Sequence, residues 1–358
     1  MQTFPESHSV QGSSSWPQDG LERVKICPVC SSERRHLLHK DLSDKVFNCA
    51  PGSWDMFQCQ VCRSTYLDPR PTVSTIGMAY STYFTHSQSV QNDYRDLGFL
   101  RRLKRALANG YRNKRFGTNL HPSTKLGVVF AYFSPGFRNL LDAERRCIPF
   151  GGRGHRLLDV GCGNGDFLLL ASQAGWEVVG LEPDPKAAEA ARNHGIDVRQ
   201  DSIESLDPAI ESFDGITLSH VIEHMHDPAA ALRHCYALLK PNGWIWIETP
   251  NVDAQGHESF GPSWRGLEPP RHLVLFNRPS LFDLLRKIGF AELEDLPYRP
   301  LCDYLFEESN KIAGELNDQS GCDTPSNLAR KIAIAERRAK RNAGLREFVT
   351  VRAIKPAD

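Results

Sequence analysis

Two pairs of cysteines are the first residues in this sequence whose spacing implies chemistry. Cys27-Pro-Val-Cys30 and Cys59-Gln-Val-Cys62 are Cys-x-x-Cys knuckles with twenty-eight residues between them. Four thiolates so spaced suit one closed, tetrahedral zinc site, which would be structural because no coordination position stays open. The unit around them, residues 21–71, is small and has little core, so a metal would staple it. A redox dithiol or free thiols are the other uses of such pairs. Cys49 lies between the pairs without knuckle spacing and is not expected to be a ligand.

Asp159-Val-Gly-Cys-Gly-Asn-Gly165 carries the second signal. Gly161, Gly163 and Gly165 lack a Cβ, so the backbone can turn sharply and approach a ligand. A helix start behind them offers free N–H groups. Dinucleotide-binding folds also use a glycine-rich turn, but their glycines run Gly-x-Gly-x-x-Gly. Asp159 at the strand end would repel a pyrophosphate and would suit the ammonium of an amino-acid-like ligand. Glu182, ending the next strand, is placed to accept from both hydroxyls of a ribose. Asp201 and Ser202 follow the third strand, where an adenine amine would lie. A tight turn and solvated loop acids are the bland readings.

A third cluster is Ser219-His-Val-Ile-Glu-His-Met-His-Asp-Pro228, joined later by Pro269-Pro-Arg-His272. His220, Glu223 and His224 are three and four residues apart and would share one face of a helical turn. Three uses stay open. His224 or His220 is a general base for a hydroxyl; or His220, Glu223, His224 and His272 bind a divalent metal; or Glu223 and His224 only order the loop. His226 precedes a helix start and reads as a turn residue.

These residues need a scaffold, and the pattern supplies one. Short apolar runs at 156–160, 176–181, 196–198, 213–218 and 243–248 alternate with helical segments. That alternation predicts an α/β fold with parallel strands covered by helices on both faces. Ala291–Leu296 and Glu347–Arg352 suit two more strands. An insertion at 298–345 separates them and ends in a basic helix, Leu328–Arg341. Upstream, residues 1–20 read as a disordered tail, 21–71 as a zinc ribbon and 72–150 as a helical segment or lid. The catalytic unit would then span 151–358. Leu97–Phe116 is a second basic amphipathic helix.

Taken in order and spacing, Leu158–Gly165, Glu182, Phe213-Asp214 and Leu239-Lys-Pro-Asn-Gly243 resemble the motifs of class I S-adenosylmethionine (SAM)-dependent methyltransferases. The resemblance covers roughly 150–296. It implies a Rossmann-like seven-stranded sheet with an antiparallel last strand, and SAM held by Asp159, the three glycines, Glu182, Asp201 and Ser202. The His-x-x-Glu-His and Pro-Pro-Arg-His pattern is similar to a bacterial subfamily associated with surface-sugar and small-metabolite methylation. It is also similar to the Glu-x-x-Glu-His plus distal His of small-RNA 2′-O-methyltransferases, whose side chains hold a divalent metal. Ubiquinone-pathway O-methyltransferases carry a related Glu-x-x-Glu-His. His220 replaces the first Glu here, which suits Mg²⁺ less than a nitrogen-tolerant metal.

Trp264-Arg265 and Arg271 lie in a Gly/Pro-rich loop after the fifth strand, on the ligand-binding edge of such a sheet. The loop is the candidate acceptor lid. Trp264 would pack on a sugar ring, and Arg265 or Arg271 would pair with a phosphate or carboxylate. The expected reaction is O-methylation of a sugar, a nucleotide-sugar or another small metabolite. RNA 2′-O-methylation, sugar C-methylation by an enzyme with an N-terminal zinc module, and a non-catalytic zinc-ribbon adaptor are the alternatives. The sequence leaves little room for the C-terminal domain of the C-methylating enzymes. Lys+Arg and Asp+Glu are both 43, which argues against a dedicated nucleic-acid binder, whatever the two basic helices do locally. No export signal or apolar run long enough to span a bilayer is visible, so a cytoplasmic location is expected.

Overall fold

A computed structural model describes residues 15–80, 98–152, 154–316 and 322–357. The N-terminal unit is an antiparallel meander of β1 (Arg35–Leu42), β2 (Trp54–Cys59) and β3 (Thr65–Leu67). Trp54 and Met56 alternate inward along β2, as one buried face requires. Trp16 is 3 % exposed and meets Trp54 edge to face at 5.3 Å. Within the stretch expected to be disordered, Trp16 and Gly20 are therefore buried in this unit; residues 1–14 of that expectation lie outside the described residues. Leu21–Glu22 pairs with Arg70–Pro71 and closes the unit.

Three helices follow: α1 (Phe99–Phe116), α2 (Leu126–Phe133) and α3 (Pro135–Ala143). The main sheet then begins with β4 (Arg156–Val160), α4 (Asp166–Gln173), β5 (Glu177–Leu181), α5 (Pro185–Asn193) and β6 (Asp197–Arg199). It crosses back through β7 (Phe213–Ser219), α6 (Pro228–Leu238) and β8 (Leu239–Pro250). Asp184 and Asp227 cap α5 and α6, each with proline at the first helical position. Leu157, Leu158, Ile216, Ile245 and Ile247 are all fully buried, as strands covered on both faces demand.

After α7 (Gln255–Phe260) comes the two-residue β9 (Val274–Leu275), which leaves the main sheet entirely. It pairs with β3, Val274 opposite Tyr66, and makes the N-terminal sheet four-stranded. The boundary expected at residue 71 is thus bridged by backbone hydrogen bonds. Next come α8 (Arg278–Ile288), β10 (Ala291–Asp295), α9 (Cys302–Leu316), α10 (Pro325–Arg341) and β11 (Phe348–Ile354). The insertion expected to end in a basic helix therefore holds two helices, α9 and α10.

The main sheet has the order β10-β11-β8-β7-β4-β5-β6. β11 is antiparallel to both its neighbours, and every other pair is parallel. The architecture is a Rossmann-like seven-stranded sheet with its last strand reversed. The chain departs from β4 in both directions, so the crevice at the carboxyl ends of β4 and β7 is where a ligand would sit. Among the described residues, no helix is long and apolar enough to cross a membrane.

Candidate active site

The turn after β4 has the shape the glycines imply. Gly161, Gly163 and Gly165 all have positive φ, at 67°, 55° and 81°. A Cβ on Gly161 would stand 2.5 Å from Val221, and one on Gly165 2.8 Å from Ile196. At Gly163 the same atom would meet nothing within 4 Å, so the backbone there faces open space. Glu182 is 9 % exposed and accepts from Gly163 N (2.8 Å) and Asp184 N (2.9 Å). Burial pushes its pKa up, and those two N–H groups oppose the shift. Asp201 and Ser202 are exposed at the end of β6, with Asp201 accepting from Ser202 N.

Asp159 is fully buried, and sequence reasoning missed its partner. Arg146, from the turn after α3, donates to Asp159 Oδ1, which also accepts from Thr217 Oγ1 at 2.7 Å. The Arg146 guanidinium lies over the Phe167 ring at 3.8 Å. Oδ2 of Asp159 has no hydrogen-bond partner among the described residues. A buried carboxylate oxygen without a donor, beside a glycine cradle, fits a ligand that brings its own ammonium.

At the ends of β7 and β8 the structure brings His220, Glu223, His224 and His272 together. His220 sits at a left-handed turn (φ 55°) and its backbone N–H donates to Glu248 O. Its Nδ1 is 3.4 Å from Glu223 and its Nε2 3.5 Å from Glu248. Desolvation lowers its pKa, but the two carboxylates more than reverse that and hold it at about 10. With a carboxylate facing each ring nitrogen, His220 is placed to donate to Glu223 and Glu248. Glu248 is held down at about 2, against the effect of burial, by His220 and Arg299.

His224 is built differently. Its Nδ1 lies 2.9 Å from Arg271 O and 3.0 Å from the Tyr80 hydroxyl. A carbonyl only accepts, so Nδ1 carries the proton and Nε2 keeps its lone pair. His272 repeats the arrangement, with Nδ1 2.8 Å from Gly266 O. Burial pushes His272 down to about 4, so it is neutral. Glu223 is fully buried and accepts from Thr249 Oγ1 at 2.9 Å. One potential ligand atom from each of Glu223, His224 and His272 lies within 4.8 Å of the others. His220 is not part of that group, so a metal here would have three protein ligands instead of the four expected.

The loop residues expected to grip the acceptor are occupied elsewhere. Trp264 is 2 % exposed, and its Nε1 donates to Glu347 at 3.1 Å. Arg271 is 0 % exposed and forms ion pairs with Asp44 at 2.7 Å and Glu268 at 3.0 Å. It ties the loop to the N-terminal unit. Arg265 is largely buried and pairs with Glu268. Trp264 and Arg271 are buried on internal partners, and Arg265 is engaged by Glu268, so the buried pair presents no free face to a sugar or phosphate.

The four knuckle cysteines converge. Cys27 Sγ is 3.6 Å from Cys62 Sγ, Cys30 Sγ is 3.5 Å from Cys59 Sγ, and all four lie within 4.8 Å of one another. A tetrahedron with ~2.3 Å metal–sulfur bonds has edges of roughly 3.8 Å. Ser31 and Arg63 follow the two knuckles with matching φ of 61° and 64°. Hydrogen bonding to Cys62 and burial push the Cys27 thiol far up. Thiols this crowded cannot all ionise without a cation among them.

Residues 132–294 match a family described as a methyltransferase domain. Over 159 residues the chain is 35 % identical to the ubiquinone biosynthesis O-methyltransferase of Cereibacter sphaeroides, covering 41 % of this chain and 64 % of that protein. The protein of the same name from Bordetella bronchiseptica is 38 % identical over 107 residues, 27 % of this chain and 44 % of its own length. A solved SAM-dependent methyltransferase from Archaeoglobus fulgidus is 24 % identical with a TM-score of 0.42, covering 64 % of this chain and 99 % of that one. The chain thus spans less than two thirds of these curated relatives. Most of its seven-stranded core falls within the stretch that matches the methyltransferase-domain family.

Within the seven-stranded domain, a cleft opens beside His220. Arg146, Glu248, Tyr298, Arg299, Glu347 and Phe348 are among the residues that line it. Glu248 is an acid next to an apolar run near the carboxyl end of its strand, as Asp159 and Glu182 are, and that repetition was the signal available in the sequence. Tyr298 and Arg299 come from the insertion, whose packing no local pattern announced. Glu347, buried against Gly256 N and Trp264 Nε1, has its pKa raised to about 7 by desolvation.

Proposed function

We propose that this protein methylates a hydroxyl of a small metabolite, of which a sugar is one class, with His224 as the base. The observation that carries the reading is His224 itself: Nδ1 is fixed by a carbonyl and Nε2 is left as an acceptor, at the carboxyl edge that also carries the glycine turn. Bound SAM supplies a methyl group on a positively charged sulfur. Asp159 and Glu182 would hold its amine and ribose, and Gly163 would let the backbone approach. His224 Nε2 would take the proton that the acceptor hydroxyl gives up, and the methyl group would come from SAM, which would leave as S-adenosylhomocysteine. The products are a methyl ether, S-adenosylhomocysteine and protonated His224. Placement of the hydroxyl supplies much of the rate, because the sulfonium is already a strong electrophile. The relatives' names, which specify O-methylation, support the hydroxyl; nothing in them supports the sugar.

One observation favours a second reading of the same residues. Both His224 and His272 give Nδ1–H to a carbonyl, the outer-shell arrangement typical of metal-ligating histidines. Glu223, His224 and His272 would then hold a divalent cation that lowers the hydroxyl pKa. We also assign Cys27, Cys30, Cys59 and Cys62 to one structural zinc. Titration calorimetry with SAM and S-adenosylhomocysteine tests the core claim. Micromolar binding by the native chain, lost in Glu182→Ala, is expected; absence of binding by the native chain removes the proposal. Metal analysis of the native chain and of His272→Gln separates base from metal.

A further inference from the structure

The helical segment before the main sheet has a surface that the proposed reaction does not use. α1 and α2 touch backbone to backbone. A Cβ on Gly110 would stand 1.8 Å from Thr124 O, and one on Gly127 1.9 Å from Leu107 O. These two contacts advance in opposite directions along the helices, so the pair is antiparallel. The N-terminal turns of α1 therefore lie level with the C-terminal turns of α2. Glycine, with Ala108 and Ala131, fills the seam between them. The large apolar side chains are consequently left outside it. Phe99 is 80 % exposed, Leu100 74 %, Tyr132 73 % and Phe133 78 %, with Leu103 and Val129 beside them.

Charge identifies what would cover such a surface. Residues 98–141 contain nine Arg and Lys and no Asp or Glu. The chain as a whole is balanced at 43 of each sign, so the remainder carries a net excess of acid and the molecule is polarised. Arg101, Arg102 and Lys104 are exposed on the same turns of α1 as Phe99, Leu100 and Leu103. A second copy of this chain would bring like charge against like charge. A bilayer with anionic headgroups accepts both features together: the aromatic and leucine side chains enter the acyl boundary while Arg and Lys meet phosphates. Isolated exposed apolar residues need no explanation, but a contiguous group of them does.

We infer that the exposed end of the α1–α2 pair is a peripheral docking surface for an anionic lipid bilayer, inserted to side-chain depth and crossing nothing. The inference is independent of the acceptor and of the base. Flotation with vesicles of phosphatidylcholine alone, and with about a third phosphatidylglycerol, tests it on the full chain. Binding is expected only to the second kind and should weaken steeply with salt. Arg101→Gln with Arg102→Gln should weaken partitioning roughly thirtyfold. Tyr132→Ser with Phe133→Ser should abolish flotation. Both double variants should keep the native circular dichroism and SAM titration, because these side chains face solvent. Failure of the native chain to float with the anionic vesicles overturns the proposal, as does equal binding to both kinds. So does a dimer in light scattering that Tyr132→Ser/Phe133→Ser turns into a monomer, which would give the surface to a second copy.

Discussion

Replacing Arg271 by Leu separates a structural role from a substrate role cleanly. The guanidinium is completely buried between Asp44 and Glu268, and it also donates to Ala79 O at 2.9 Å. Asp44 is itself 5 % exposed and keeps the N–H groups of Phe47, Cys49 and Ala50 after the cation is gone. Glu268 keeps Arg265. The partial compensation places the loss within, and not above, the ~3–5 kcal/mol range for breaking a buried ion pair. Urea unfolding at pH 7, followed by tryptophan fluorescence, should show that loss. The pH dependence gives a second check. Burial would raise both carboxyls, but arginine and neighbouring cations hold Glu268 at about 2 and Asp44 lower still. Stability from depressed carboxyls is fully present above their unfolded pKa and is lost as pH falls through the folded value. The deficit of the variant should therefore be largest near neutrality and narrow below pH ~4. A variant as stable as the native chain at pH 7, with a raised KM for its acceptor, would refute the reasoning and return Arg271 to the acceptor site.

Other expectations follow from the same contacts. His224→Gln should lower kcat by roughly 10²–10⁴ with SAM affinity unchanged, since it removes a proton acceptor and no cofactor contact; an unchanged kcat would remove the base. Cys59→Ser should lose the metal found by elemental analysis and lower the melting temperature, whereas a metal-free native chain of equal stability would remove the zinc assignment. His272 and His39 are pushed down to about 4, chiefly by burial. The unfolded chain then binds protons the native chain refuses, so stability is full above pH ~6.5 and declines toward pH 4, by up to about 3 kcal/mol for His272. Urea midpoints that stay level between pH 7 and 5 would contradict this. His220 acts in the opposite sense: its contribution is present below pH ~6.5 and lost as pH rises through about 10, which His220→Gln should remove from an alkaline stability profile.

How legible the site was depended on how local its parts are. The glycine turn was readable because strand, turn and helix are contiguous, and three positive φ values leave few residue types able to serve. The knuckles were readable because each pair of thiols is fixed by four consecutive residues. Glu223 and His224 share a single helical turn, and only their relation to His272 needed the fold. Arg146 meeting Asp159, and Arg271 meeting Asp44 from 227 positions away, are decided by packing between elements. No periodicity within either segment contains that information.

Trp264 shows that part of the hidden information was present in another form. A tryptophan among glycines and prolines reads as an exposed lid residue. Yet a Cβ on Gly266 would stand 2.3 Å from the Trp264 ring, and one on Gly256 2.7 Å from its Nε1. Those glycines make room for a buried indole, and their freedom to turn is incidental. Glu347 then receives the indole N–H that burial would otherwise leave without a partner. The same glutamate lines the cleft beside His220, so the indole shapes the site from behind. Substituting Gly266 by Ala should therefore disturb Glu347 and the cleft before it disturbs the sheet, because the added Cβ overlaps the ring that donates to Glu347.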